Sequence, residues 1–92
     1  MANEKLLERK LRESVKKLGG WAVKFWVVNL AGFPDRLVLM PGGRFWFVEM
    51  KSTGKEPSAI QKLVHGKLRC LGFEVWVIDT QILLDEFLNQ LR

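Results

Sequence analysis

Apolar residues recur every three or four positions over residues 4–18. Leu7, Leu11, Val15 and Leu18 form one stripe, and Lys and Arg crowd the other face. The spacing predicts an amphipathic helix, with Asn3 as its N-cap and Gly19-Gly20 as its stop. The period then changes. Residues 21–29 (WAVKFWVVN) are β-branched and aromatic and read as a strand. Gly32 and Pro34 punctuate a loop over 30–34. Two strands, 35–40 and 44–51, flank Pro41-Gly42-Gly43, the spacing of a tight antiparallel hairpin. Both are apolar at successive positions, so both faces are expected to be covered. Residues 52–57 (STGKEP) form a polar loop. Residues 58–71 form a second helix with Ile60, Leu63, Val64, Leu68 and Leu71 along one side, ended by Gly72. Residues 73–78 read as a fourth strand. Asp79 or Thr80 caps a last helix bearing Leu83, Phe87, Leu88 and Leu91.

The order α-β-β-β-α-β-α predicts a single α/β domain over residues 1–92 with a mixed sheet of about four strands. The third strand, the 58–71 helix and the fourth strand form a βαβ crossover, expected to be right-handed. Ninety-two residues leave no room for an eightfold βα barrel or a two-domain nucleotide enzyme. No apolar run exceeds about four residues, against roughly 20 for a membrane helix and about 7–15 for a signal-peptide core. The lone Cys70 allows no intramolecular disulfide and no cysteine-rich zinc site, which points to a reducing, cytoplasmic setting.

Net charge is +5, unevenly spread. Residues 1–69 carry fourteen Lys/Arg against six Asp/Glu, while residues 70–92 carry Arg92 against four acids. A basic body of this kind suits a polyanion such as nucleic acid.

Charge inside an apolar strand is costly unless paired or bound to metal. Asp35 opens the second strand after Gly32-Phe33-Pro34, and Glu49 and Lys51 close the third after Phe45–Val48. Alternation puts Glu49 and Lys51 on one face and Met50 on the other. A hairpin centred on Gly42 pairs residues whose numbers sum to about 84, which sets Asp35 opposite position 49. Two close carboxylates repel unless a proton or cation lies between them. An all-oxygen site without Cys or His favours Mg²⁺ or Mn²⁺ over zinc. The Lys51 ammonium is then placed to orient an attacking water or to stabilise charge on a phosphate.

Pro34-Asp35 followed by Glu49-Met50-Lys51 at a hairpin end is a PD-(D/E)xK nuclease signature. The fuller series is Gly32-Phe33-Pro34-Asp35-Arg36, Pro41-Gly42-Gly43-Arg44, Phe47-Val48-Glu49-Met50-Lys51, Ser58-x-x-Gln61 and Leu68-x-x-Leu71-Gly72-Phe73. It resembles the VRR-NUC (virus-type replication-repair nuclease) domain in its minimal stand-alone form, over about residues 4–79. The resemblance implies a restriction-endonuclease-like core and Mg²⁺- or Mn²⁺-dependent phosphodiester cleavage leaving 5′-phosphate and 3′-hydroxyl ends. Asp35, Glu49 and the Met50 backbone carbonyl would hold the metal. Lys51 would be the catalytic lysine, Glu8 the acid contributed by the first helix, and Gln61 a brace from the second. The resemblance further implies homodimers acting on branched DNA such as Holliday junctions, encoded by a phage or bacterium. The apolar strands and the last helix (Leu83, Phe87, Leu91) are the candidate pairing surfaces.

Blander roles compete. Asp35 can serve a turn, and Glu49 and Lys51 an exposed edge pair. Glu8 can pair with Arg12, and Glu4 borders the same stripe one turn earlier. Ser58-x-x-Gln61 is also a capping box. His65, amid Lys62, Lys67 and Arg69, reads as a surface residue. Cys70 and the four tryptophans, Trp21, Trp26, Trp46 and Trp76, read as core. Arg36, Lys55, Lys62 and Lys67 are the preferred DNA contacts, ahead of the basic face of the first helix. Two other readings stand beside the nuclease: a non-catalytic DNA-binding or assembly module, and a related nuclease with another nucleic-acid substrate.

Overall fold

The structure is a computed structural model that describes residues 3–92. Its elements are α1 (Glu4–Lys17), β1 (Trp21–Lys24), β2 (Arg36–Met40), β3 (Arg44–Met50), α2 (Ala59–Cys70), β4 (Val75–Ile78) and α3 (Gln81–Leu91). The expected order is present. The sheet runs β1-β2-β3-β4, antiparallel across the first three strands and parallel between β3 and β4. A single 3₁₀ turn at Pro41–Gly43 joins β2 to β3. The caps follow residue chemistry. Asn3 Oδ1 accepts from Leu6 N–H at 2.8 Å, and Thr80 Oγ1 accepts from Leu83 N–H at 3.1 Å.

Alternation along the strands divides the core in two. Val38, Met40, Trp46, Val48, Met50 and Ile78 pack on one face against Leu7, Leu11 and Val15 of α1 and Leu84, Phe87, Leu88 and Leu91 of α3. On the other face Phe47 and Val75 meet Val64 and Leu68 of α2, with Phe25, Phe33 and Leu37 at the margin. This is why consecutive residues of β3 are apolar: each helical layer claims one parity.

Several expectations are corrected. The first strand stops at Lys24 rather than continuing to 29. Phe25 N–H still reaches the Asp35 carbonyl at 2.9 Å, but β2 has no residues left to pair beyond that point. Residues 26–30 therefore leave the sheet, with Trp26 at 78% and Val28 at 72% exposure and Asn29 at φ 65°. Trp21 is also exposed, so only Trp46 of the four tryptophans is fully buried core. β4 begins at Val75, not Phe73. In α2 the buried face is Val64, His65 and Leu68. Ile60, Leu63, Leu71 and Cys70 face outward, because the sheet is broad enough to cover only one side of the helix. In α3 the core position is Leu84, with Leu83 only partly buried beside it. Phe87 and Leu91 are buried in the chain's own core, while Ile82 of the same helix stays exposed. Trp21, Leu39 and Phe45 lie side by side across β1, β2 and β3 and remain open on the α2-side face of the sheet.

Gly32 fixes the approach to Asp35. Its φ is +87°, and a Cβ there would sit 2.7 Å from the Ile60 carbonyl oxygen. Only glycine lets the 30–34 loop lie flat on the start of α2.

Burial decides the cost of truncation. Leu11→Ala, at a fully buried position, is expected to destabilise the fold by about 3 kcal/mol, whereas outward-facing Leu63→Ala costs under about 1 kcal/mol, both read by urea denaturation.

Candidate active site

The hairpin register assembles the site. Arg36 pairs with Val48 and Leu37 with Phe47, so residue numbers sum to 84 along the ladder. Continued by two residues, that register sets Asp35 opposite Glu49 and Pro34 opposite Met50. Phe25 N–H bonds the Asp35 carbonyl, so the backbone groups of Asp35 face β1 rather than β3. Asp35 and Glu49 thus form a non-hydrogen-bonded pair, the kind in which facing side chains come closest. Lys51 N–H bonds the Ile78 carbonyl at 2.9 Å. By alternation the peptide groups of Met50 point the other way, towards Pro34. Proline has no N–H to offer, which leaves the Met50 carbonyl free for another partner.

Glu49 is 5% exposed, and Lys51 is half-buried on the same strand face. Burial, reinforced by the Asp35 charge, pushes the Glu49 carboxyl up to about 7; Lys51 pulls the other way, Glu4 adds to the rise, and Arg36 opposes it. Asp35 Oδ1 and Glu49 Oε1 are buried without a hydrogen-bond partner. Buried acceptors short of donors, on carboxylates that resist joint ionisation, are what a small divalent cation satisfies. Among the described residues no three His, Cys, Asp or Glu side chains cluster as a ready metal cage. Two carboxylates beside a carbonyl that Pro34 cannot engage fit Mg²⁺ or Mn²⁺, which keep several waters, better than zinc.

Helix α1 places its acids differently from expectation. Glu8 is drawn to Arg12 at 2.7 Å, with Arg36 Nη2 at 4.0 Å. It is spent on those guanidinium groups rather than on Asp35 and Glu49. Glu4, one turn nearer the helix start, is the α1 carboxylate whose charge reaches Glu49. Gln61 completes the capping box: its Oε1 accepts from Ser58 N–H at 2.9 Å, and Ser58 Oγ accepts from Gln61 N–H at 3.2 Å. Among the described residues no hydrogen bond engages its amide NH₂.

His65 was expected at the surface and lies instead in the interior, 1% exposed, with Nε2 3.9 Å from Glu49 Oε1. The available signal was spacing: His65 follows Gln61 by one helical turn and precedes Leu68 by three, on the face that meets the sheet.

The basic residues also sort differently. A cleft of about 720 Å³ is lined by Lys5, Arg9, Arg12, Lys24 and Arg36 together with Glu4 and Glu8. Arg36 is 6% exposed there. Lys62 and Lys67 lie on the outward face of α2 beside Leu63 and Leu71, and Lys62 pairs with Glu56 at 3.4 Å. Lys55 is exposed in the 52–57 loop.

No family model matches the chain. A solved structure described as a VRR_NUC domain superposes with a TM-score of 0.89 at 29% identity, covering 99% of this chain and 100% of that one. The chain is also 41% identical over 81 residues to "Putative nuclease p44" of Acyrthosiphon pisum secondary endosymbiont phage 1, spanning 88% of this chain and 87% of that protein. The chain belongs to the VRR-NUC family. The α/β fold is accordingly restriction-endonuclease-like. No helix among the described residues of this VRR-NUC chain is long and apolar enough to cross a membrane.

The raised carboxyl makes the metal-free VRR-NUC fold sensitive to pH. Glu49 ionises near 7 when folded and near 4.5 when unfolded, so the folded state holds the extra proton between those values. Its contribution to stability is complete below about 4.5 and is lost as pH rises through 7, by about 3 kcal/mol. Urea denaturation in EDTA is expected to show this fall for the wild type. Glu49→Gln should flatten it and be the more stable protein at pH 8.

Proposed function

We propose that this VRR-NUC protein is a metal-dependent DNA endonuclease. The observation that carries the reading is the facing Asp35–Glu49 pair, each carboxylate with one buried oxygen lacking a hydrogen-bond partner, beside Lys51. Asp35, Glu49 and the Met50 carbonyl would hold Mg²⁺ or Mn²⁺. Such an ion, when bound, supplies Lewis-acid help at phosphorus and makes water a better nucleophile. Lys51 orients that water and faces the charge that develops on the phosphate. Glu4, rather than Glu8, adds negative potential from α1, and the free amide of Gln61 braces the site from α2. In-line attack leaves a 5′-phosphate and a 3′-hydroxyl.

The basic cleft beside α1 supports the choice of a polyanionic substrate. No carboxylate lies within 4 Å of the Lys5, Arg9 or Lys24 ammonium or guanidinium groups among the described residues, so their charge is available to phosphates. Glu4 and Arg36 line this cleft and also act on Glu49, so the cleft and the site adjoin. We assign branched DNA, four-way junctions in particular, as the substrate and a homodimer as the acting form, because two symmetric strands call for two sites. The open row of Trp21, Leu39 and Phe45 is the pairing surface this reading favours. The relative from a phage fits action inside a host cell.

Incubation with linear, flapped, forked and four-way DNA is expected to give cleavage only with Mg²⁺ or Mn²⁺, fastest on the four-way substrate. Asp35→Ala and Glu49→Ala should each cut at least about 10²–10³-fold more slowly while remaining folded. Wild-type cutting by Asp35→Ala would end the assignment, and salt-sensitive binding without cutting by the wild type would favour a non-catalytic module. For binding, an Arg9→Gln/Lys24→Gln double variant is expected to lower the slope of log K against log salt by about two, with Lys62→Gln/Lys67→Gln leaving it unchanged. Fluorescence anisotropy in EDTA reads both.

A further inference from the structure

His65 is a buried ionisable group to which the proposed chemistry gives no part. It lies on the face of α2 that carries Val64 and Leu68 into the core, so packing on both sides fixes where its ring sits. Its Nε2 is buried without a hydrogen-bond partner, and so is Glu49 Oε1, 3.9 Å away. Each orphan is costly alone. A shift of under about 1 Å would bring the pair to hydrogen-bond distance and remove both penalties. No carboxylate other than Glu49 approaches His65 within 4 Å among the described residues.

We propose that His65 is a positioning residue for Glu49: its Nε2–H donates to Oε1 and fixes the carboxylate so that the other oxygen is presented to the divalent ion. This rests on the reading of Glu49 as a metal ligand. The charge states agree with it. Burial, then Arg69 and Lys51, shifts the imidazole below its ordinary range. A neutral donor can support an ionised Glu49 without neutralising it, as a second ammonium beside Lys51 would. Outer groups that orient a metal-bound side chain are typically worth 10–100-fold in metal affinity. The ring also restricts a carboxylate that otherwise has free torsions to lose on binding the ion.

Mn²⁺ binding and nitrogen-15 spectra decide the matter. Mn²⁺ titration of the whole protein, followed by electron paramagnetic resonance, compares wild type, His65→Leu and His65→Gln. Leucine keeps the bulk and removes the donor, and glutamine returns an N–H. Thermal unfolding in EDTA establishes that each variant folds. The expected result is about 10–100-fold weaker Mn²⁺ binding for His65→Leu and recovery to within a few-fold for His65→Gln. Equal binding by all three, or equal loss in both variants, would overturn the proposal. The second measurement needs no metal. Nitrogen-15 spectra of the metal-free wild type are expected to show His65 as the Nε2–H tautomer, with a resonance that moves in Glu49→Gln. A ring protonated on Nδ1 would overturn the contact outright. Should the wild type bind no Mn²⁺, the metal reading of Glu49 falls, and with it the positioning role, even where the nitrogen spectra confirm the hydrogen bond.

Discussion

Two carboxylates facing each other across a hairpin, Glu49 buried and Asp35 half-buried with one oxygen sealed from water, govern this molecule. Asp35 and Glu49 sit where strand pairing brings side chains closest, and the burial that pushes Glu49 up to about 7 is imposed by the same layers that make the core. Such an arrangement opposes stability in the metal-free protein at neutral pH. The surrounding structure has to hold it, and it does so with local devices. Gly32 lets the preceding loop press on α2, Pro34 withholds an N–H from Met50, and β1 ends where Phe25 captures the Asp35 carbonyl. Each device is a backbone matter, which is why the motif is short and its spacing strict.

The hairpin was legible because its rules are local. A three-residue turn centred on Gly42 fixes the register, and the observed pairs sum to the expected 84. The unbroken apolar character of both strands announced cover on both faces; α1 with α3 supply it on one side, while α2 on the other leaves Leu39 and Phe45 exposed. Family likeness then named the site. Periodicity alone gave a two-sided sheet with acids at one end.

What escaped the sequence depended on tertiary reach. Glu4 and Glu8 share a helix border, and only the position of Arg36 on the opposite strand face decides between them: its guanidinium, with Arg12, claims Glu8. His65 looked like a surface residue because its neighbours in sequence are cations, yet a helix packed on a sheet buries by angle and not by company. The outward turn of Leu63, Leu71 and Cys70 is the other half of the same rotation. Trp21 and Trp26 carry strand propensity without strand cover, since helix α2 lies over β3 and β4 and leaves the β1 side open.

Arg36 shows how the site is kept in charge balance. It follows Asp35 directly, so a guanidinium sits one residue from a carboxylate that must stay available. Strand alternation sends it to the α1 face while Asp35 faces the α2 side. There it is buried, with Nε and Nη1 unpaired and Nη2 drawn towards Glu8. Its charge still lowers the Glu49 carboxyl through space, though less than Lys51 does. A guanidinium at position 36 on the same face as Asp35 would stand directly beside the two acids. Turned away by the strand's alternation, Arg36 moderates their repulsion without occupying the space between them, and Glu8 lies 4.0 Å from its Nη2 on that other face.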